Sequence, residues 1–204
     1  MRRSNIVMIE SMQISPEYNV GDWKALRFST EGEWQKAIDI FEDRIRGRFL
    51  DIIDSVENHK YAGFAVLALD CLLLETLQQF REGKAKTPKR KSKDYFVCFL
   101  TKTSFGNFFQ KKSAEVFYDQ IRCGILHQAE TKGKSLIRTD VPLVSFTSNQ
   151  QGLIVNRKLF HKQLVVEFVY YVTELRKNNP PNEVLRQNFK KKMDHICRVH
   201  SGTE

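Results

Sequence analysis

Residues 61–80, YAGFAVLALDCLLLETLQQF, constrain the fold of this chain more than any other stretch. Drawn as a helix over 61–82, the segment is apolar on nearly every face, with Asp70 and Glu75 as its only acids before the end. Gly83 stops it. A helix of that composition is expected at the centre of a bundle, with other helices packed around it. A membrane span is not expected, because the longest apolar run, 62–74, covers 13 residues and contains Asp70.

The segments on either side supply partners for such a helix. Thr30 followed by Glu33 is a capping-box pattern, and Trp34, Ala37, Ile38, Phe41, Ile45, Phe49, Ile52, Ile53 and Val56 then recur at spacings of 3, 4 or 1, predicting an amphipathic helix over 31–57. A second periodic run predicts a helix over 111–128, and a third over 157–177, ended by Asn178, Asn179, Pro180 and Pro181. Residues 182–199 read as a basic helix with Arg186, Lys190, Lys191, Lys192 and Arg198. Residues 94–110 give one or two short helical turns broken near Gly106. LVSFTSNQQGLIVN, 143–156, predicts two short strands about an Asn-Gln-Gln-Gly turn. Residues 1–29 read as irregular or weakly strand-like. The expected fold class is therefore mainly all-α, with a small β-hairpin inserted late. The expected partition is an N-terminal extension over 1–29, a helical bundle over 30–178 and a basic C-terminal helix over 179–204.

Charge points to the partner. The chain of 204 residues carries a formal net charge of +9, an excess that favours a polyanion such as nucleic acid. Much of it is concentrated in GKAKTPKRKSKD, 83–94, where Lys84, Lys86, Lys89, Arg90, Lys91 and Lys93 precede the first acid, Asp94. Pro88 excludes a continuous helix there, so the segment is expected to be a loop able to grip phosphates, or simply a solvated one. Lys190, Lys191 and Lys192 are the matching candidates in the tail.

Cys71, Cys98, Cys123 and Cys197 form no CxxC pair and fall in apolar helical segments, the pattern of free thiols in a reducing compartment. The start, MRRSNIVMIES, lacks the apolar run of a signal peptide, and a cytoplasmic setting is the expectation. His59, His161, His195 and His200 are scattered without metal-ligand spacing, so neither a metal nor a cofactor is expected. There is no phosphate-binding P-loop and no GxGxxG.

The chemistry is expected in IRCGILHQAE, 121–130, where Arg122 and His127 stand five residues apart near a helix end. On an ideal helix that spacing separates them by about 140°, so they do not share a stripe, but a long arginine can swing towards the rim that carries the histidine. Histidine can take a proton from a ribose 2′-hydroxyl or give one to a leaving 5′-oxygen, and arginine can hold the phosphate as its charge grows. RNA brings its own nucleophile, so the pair is a minimal kit for metal-free cleavage, and two copies facing each other in a dimer would supply both proton transfers. The rival reading is a buried arginine paired with Asp119 or Glu115 and a histidine satisfied by backbone. Tyr118, one turn before Arg122, can stack on a base or pack.

Arg122-Cys-Gly-Ile-Leu-His127, late in a basic helical chain, resembles the R-x(4–6)-H motif of the HEPN superfamily, the higher-eukaryote and prokaryote nucleotide-binding domains. FYDQIRCGILHQAET looks like the motif helix of prokaryotic members, and the resemblance covers about residues 31–177. It implies a bundle of four or five core helices that forms a homodimer with the motifs facing each other. It also implies a metal-independent endoribonuclease of a defence or toxin system, leaving a 2′,3′-cyclic phosphate and held in check by an antitoxin or other partner protein. The alternative it implies is a non-catalytic module that binds RNA, nucleotides or proteins. Carried over, Arg122 and His127 take the motif roles, and Glu75 is the candidate acid supporting them from an earlier helix. The residue after the motif arginine is often Asn, Asp or His in active members; here it is Cys123, a weak hydrogen-bonder. Gly124 in mid-helix costs roughly 1 kcal/mol against alanine and is expected to admit the close approach of a dimer partner.

Overall fold

A computed structural model describes residues 9–198. The chain is mainly helical, about 65%, with one small mixed sheet. Seven continuous helices run through the described residues: α1 (Val20–Lys24), α2 (31–56), α3 (Gly63–Glu82), α4 (Ser92–Lys102), α5 (111–128), α6 (Arg157–Arg176) and α7 (Glu183–Ile196). The expectation of four or five core helices is corrected accordingly. The extra elements are α1, in a segment read as irregular, and α4, a full helix where only broken turns were expected; a 3-10 turn, Ser104–Asn107, follows α4 at the predicted break. The weak strand signal before residue 9, and His200, lie outside the described residues.

α2 begins as its sequence dictates. Thr30 Oγ1 accepts from the Glu33 amide at 3.3 Å, and Glu33 Oε2 accepts from the Thr30 amide at 3.1 Å. The Glu33 carboxylate also takes the amides of Arg27 and Ser29, each at 2.9 Å, and these bonds, that from Arg27 foremost, hold its pKa down to about 2. Both α2 and α5 contain one wide π turn, Arg46–Leu50 and Phe117–Arg122, flanked by regular α-helix.

The predicted hairpin is present: β2 (Val144–Phe146) and β3 (Leu153–Asn156) pair antiparallel with Val144 opposite Val155. A third strand, β1 (Leu136–Arg138), lies parallel to β3 on its other side, giving the order β1-β3-β2. β3 runs directly into α6. Asn156 makes that junction: its Oδ1 accepts from the amides of Lys158 and Leu159 at 3.1 and 3.2 Å, while its Nδ2 donates to the carbonyls of Thr139 and Val141.

Two compact units result, and they cut across the sequence partition at 30 and 178. The first gathers the described residues up to Ile52, Gln79–Ala85 and the stretch from Tyr171 onward. Its core is aromatic: Phe41 meets Phe80 at 4.6 Å and Phe189 at 5.4 Å, and Trp23 closes on Phe189 while its indole N–H donates to Asp194 at 2.9 Å. The second comprises Ile53–Gln78 and Lys86–Tyr170. Phe117 stacks on Phe160 at 5.0 Å and 8°, with Phe105 and Phe109 against the same ring. All four rings are buried, and truncation of any to alanine is expected to cost about 3–5 kcal/mol.

α3 departs from the expectation of full burial. Val66, Leu67, Leu73 and Leu74 are inside, but Phe64 and Leu72 are 37% and 45% exposed. By length and composition the whole helix, unlike its 62–74 run taken alone, is long and apolar enough to cross a membrane; half of that stretch is buried inside the protein, and the core helix of a globular domain meets the same criterion.

Candidate functional site

Arg122 ends the π turn of α5, where the Cys123 amide donates to the Tyr118 carbonyl rather than to that of residue 119. The arginine side chain then lies against a pair of touching rings, with its guanidinium carbon 5.6 Å from the Phe96 centroid and 5.4 Å from that of Tyr118. Its Nη2 donates to Glu75 Oε2 at 3.0 Å, and the same oxygen accepts from Ser92 Oγ at 3.0 Å. Both ion-pair side chains keep only 16% exposure. Burial opposes the guanidinium charge, but the Glu75 carboxylate, together with Tyr118 and Cys123, outweighs it and the arginine pKa is raised.

With Nη2 held by Glu75, Nη1 faces His127, and the two approach to 3.5 Å at Nε2. That is longer than a formed hydrogen bond. His127 is exposed in the last turn of α5, and an arginine can donate to Nε2 only when that nitrogen carries no proton. Arg122 Nε is buried without a partner. The spacing of five residues is thus bridged by the length of the arginine, as its 140° separation requires.

Asp119, the alternative partner, is taken by Lys93 at 2.6 Å. Tyr118 packs edge-on against Phe96 at 5.4 Å, and Cys123 is half-buried. Gly124 serves the chain itself: a Cβ there would meet the Glu130 carbonyl oxygen, with the Lys132 amide at 3.0 Å and Thr131 Cα at 3.1 Å. Ala129 takes the left-handed conformation, φ 53°, and turns 130–132 back over the helix. The close approach predicted at Gly124 is therefore made within this chain.

The basic candidates divide. Lys84, Lys86, Lys89 and Arg90 are exposed, whereas Lys91 is paired with Asp94 at 2.8 Å. In the tail, Lys191 is exposed and Lys190 bonds Asp194 at 2.6 Å. Lys192 is buried, donating to Gln79 Oε1 at 2.6 Å and to the Ala85 carbonyl, and burial, aided by Arg44, pushes its pKa down to about 8. Arg186 is also buried, forked onto Glu31 at 2.8 and 2.6 Å. Both hold structure, and Lys192 is withdrawn from the phosphate-gripping set.

Sequence reasoning missed Ser92 and Phe96, whose part depends on α4 crossing α5. It also passed over a relay, buried at Asp70 and His161 and exposed at Asp54, in which His161 Nδ1 contacts Asp70 Oδ1 at 2.8 Å and its Nε2 contacts Asp54 Oδ1 at 3.2 Å. Their spread along the chain, at 54, 70 and 161, gives no local signal. Among the described residues no group of three or more His, Cys, Asp or Glu is placed to hold a metal ion. Comparison with family models, curated proteins and solved structures finds no match.

Proposed function

We propose that this chain is a HEPN-type RNA-binding protein, acting as a homodimer and cleaving RNA without metal. One observation carries the reading: a half-sequestered guanidinium, fixed by Glu75 and two rings, presents Nη1 to an exposed imidazole 3.5 Å away. Arg122 binds a non-bridging phosphate oxygen. His127 takes the proton of the 2′-hydroxyl, the 2′-oxygen bonds to phosphorus, and the bond to the 5′-oxygen breaks. The partner subunit's His127 protonates that leaving oxygen, so the products are a 2′,3′-cyclic phosphate and a 5′-hydroxyl. Leu72, one turn before Glu75, and Leu126, beside His127, are 45% and 42% exposed and would be covered in the dimer. The exposed lysines of 84–93 add sequence-independent grip. The absence of any disulfide among the described cysteines fits a cytoplasmic setting, and a defence or toxin role with a restraining partner protein belongs to the same reading.

A second reading has its own support. Glu75 already compensates the Arg122 charge, and Cys123 adds only a weak hydrogen-bonder, which suits a module that binds RNA or nucleotide without turnover. The deciding experiment incubates the protein and its Arg122→Ala/His127→Ala variant with mixed single-stranded RNA in EDTA, followed by end analysis. Cyclic-phosphate ends from the wild type alone support the ribonuclease. Bound but uncut RNA selects the binding module, and neither binding nor cleavage removes both.

A further inference from the structure

A groove in the same unit shares no residue with the Arg122 site. It has a volume of about 610 Å³, within the range of small-ligand sites, and lies where the start of α3, the end of β1 and the first residue of α6 meet. Arg157 forms its inner wall. This side chain is only 6% exposed; its Nη2 donates to the His59 carbonyl at 2.9 Å, while its Nη1 is buried with no partner. A buried guanidinium with an unanswered N–H is an incomplete anion site.

The surroundings extend the same chemistry. Lys60 and Arg138 line the groove and are both exposed, against one acid, Asp140. The N-terminus of the 20-residue helix α3 opens into it at Gly63 and Phe64, with no acidic residue in its first turn to offset the helix dipole. Gly63 permits this closeness, since a Cβ would stand 3.2 Å from Ile137 Cγ2 and 3.5 Å from Arg157 Cδ. Two aromatic side chains flank the cations: Tyr61, 76% exposed, and Phe64, 37% exposed. An aromatic ring left that open beside cations suits a flat π system carried on a phosphate.

We propose that this groove binds a nucleoside 5′-phosphate, with Arg157, Lys60 and Arg138 on the phosphate, Asp140 accepting from ribose hydroxyls, and Tyr61 with Phe64 against the base. The ligand is either a free mononucleotide or the 5′-phosphorylated end of an RNA strand. The inference does not depend on cleavage at Arg122 and His127.

The test is calorimetric titration of the full chain with the four ribonucleoside 5′-monophosphates, the matching nucleosides and inorganic phosphate. Short oligoribonucleotides with and without a 5′-phosphate are titrated in parallel. At least one monophosphate binds, its nucleoside binds at least about tenfold more weakly, and Tyr61→Ala and Lys60→Ala/Arg138→Ala each weaken it by about tenfold. These positions are exposed, so folding is not at stake; Arg157→Lys, checked for folding by circular dichroism, gives a third reading. Arg122→Ala/His127→Ala leaves the affinity unchanged, which separates this groove from the proposed cleavage site. A preference for the 5′-phosphorylated oligonucleotide, competed by the monophosphate, assigns the RNA end; monophosphate binding without that preference assigns the free nucleotide. The proposal is overturned if no monophosphate binds at millimolar concentration and the 5′-phosphate brings no preference. It is equally overturned if nucleosides bind as well as their phosphates, or if the groove variants bind like the wild type.

Discussion

Replacing Glu75 by glutamine removes one charge from the Arg122 site and almost nothing from its shape. The carboxylate accepts from Arg122 Nη2 and from Ser92 Oγ, each at 3.0 Å. Exposed ion pairs contribute about 0–1 kcal/mol, but at 16% exposure on both sides this one is shielded from most of that screening. A hydrogen bond to a charged group is worth about 1.5–3 kcal/mol, and glutamine retains one amide oxygen as a neutral acceptor. The expected loss is therefore about 1–2 kcal/mol, or a thermal midpoint lower by about 2–8 °C for a chain of this size. Urea denaturation followed by circular dichroism measures it. A double-mutant cycle with Arg122→Met isolates the pair, with an expected coupling of about 1 kcal/mol. A coupling under about 0.3 kcal/mol would refute the argument that Glu75 fixes the guanidinium, and with it the reason Nη1 is free to face His127.

Gly124→Ala should lose about 1–3 kcal/mol in the same denaturation assay. The roughly 1 kcal/mol gained in helix propensity is overridden by backbone atoms of 130–132 that cannot move aside cheaply. The His161 relay sets a pH dependence. Burial lowers the His161 pKa, but Asp70 and Asp54 outweigh it and the net shift is upward from 6.5, so its contribution is full below that pH and fades as pH rises through the folded value. Burial pushes Asp70 up to about 6, against the pull of His161, so the carboxylate loses stability as pH climbs from 3.8 through that value. Wild-type stability should thus fall with rising pH relative to His161→Gln/Asp70→Asn; parallel curves for the two would exclude the relay as the source. Changing Lys89, Arg90 and Lys91 to alanine should weaken RNA binding and flatten its dependence on salt by about 1 for each phosphate no longer neutralised, while leaving cleavage chemistry intact. An unchanged slope would show that the loop does not touch RNA.

Helices whose apolar positions recur every three or four residues were readable with boundaries within a residue or two, because burial of one face sets both their period and their extent. The Thr30–Glu33 box was readable because its partners are three residues apart. β1 was not: Leu136–Arg138 is three residues long, half-exposed at its centre and exposed at both ends, and becomes a strand only by pairing with β3. The π turns were not readable, since an amide that bonds the carbonyl five residues back instead of four carries no residue-type signal of its own. At the site, Arg122 and His127 stood out by chemistry. Glu75 was readable as a candidate by charge, but its bond to Arg122 depends on how α3 meets α5. Lys192 and Arg186 misled for the complementary reason, since a basic run records charge and says nothing of which members turn inward.

Gln120, a residue with no motif to mark it, binds the motif helix to three later points in the chain. Its carbonyl accepts from the Lys132 amide at 2.8 Å, its Oε1 accepts from Ser135 Oγ at 2.7 Å, and its Nε2 donates to the Gln151 carbonyl at 2.8 Å. The end of α5 and the edge of the sheet are thereby laced into one cooperative element. In hydrogen exchange the amide of Lys132, although it lies in a loop, should be protected on the same timescale as the helix, so the segment bearing His127 opens only when the sheet junction opens with it.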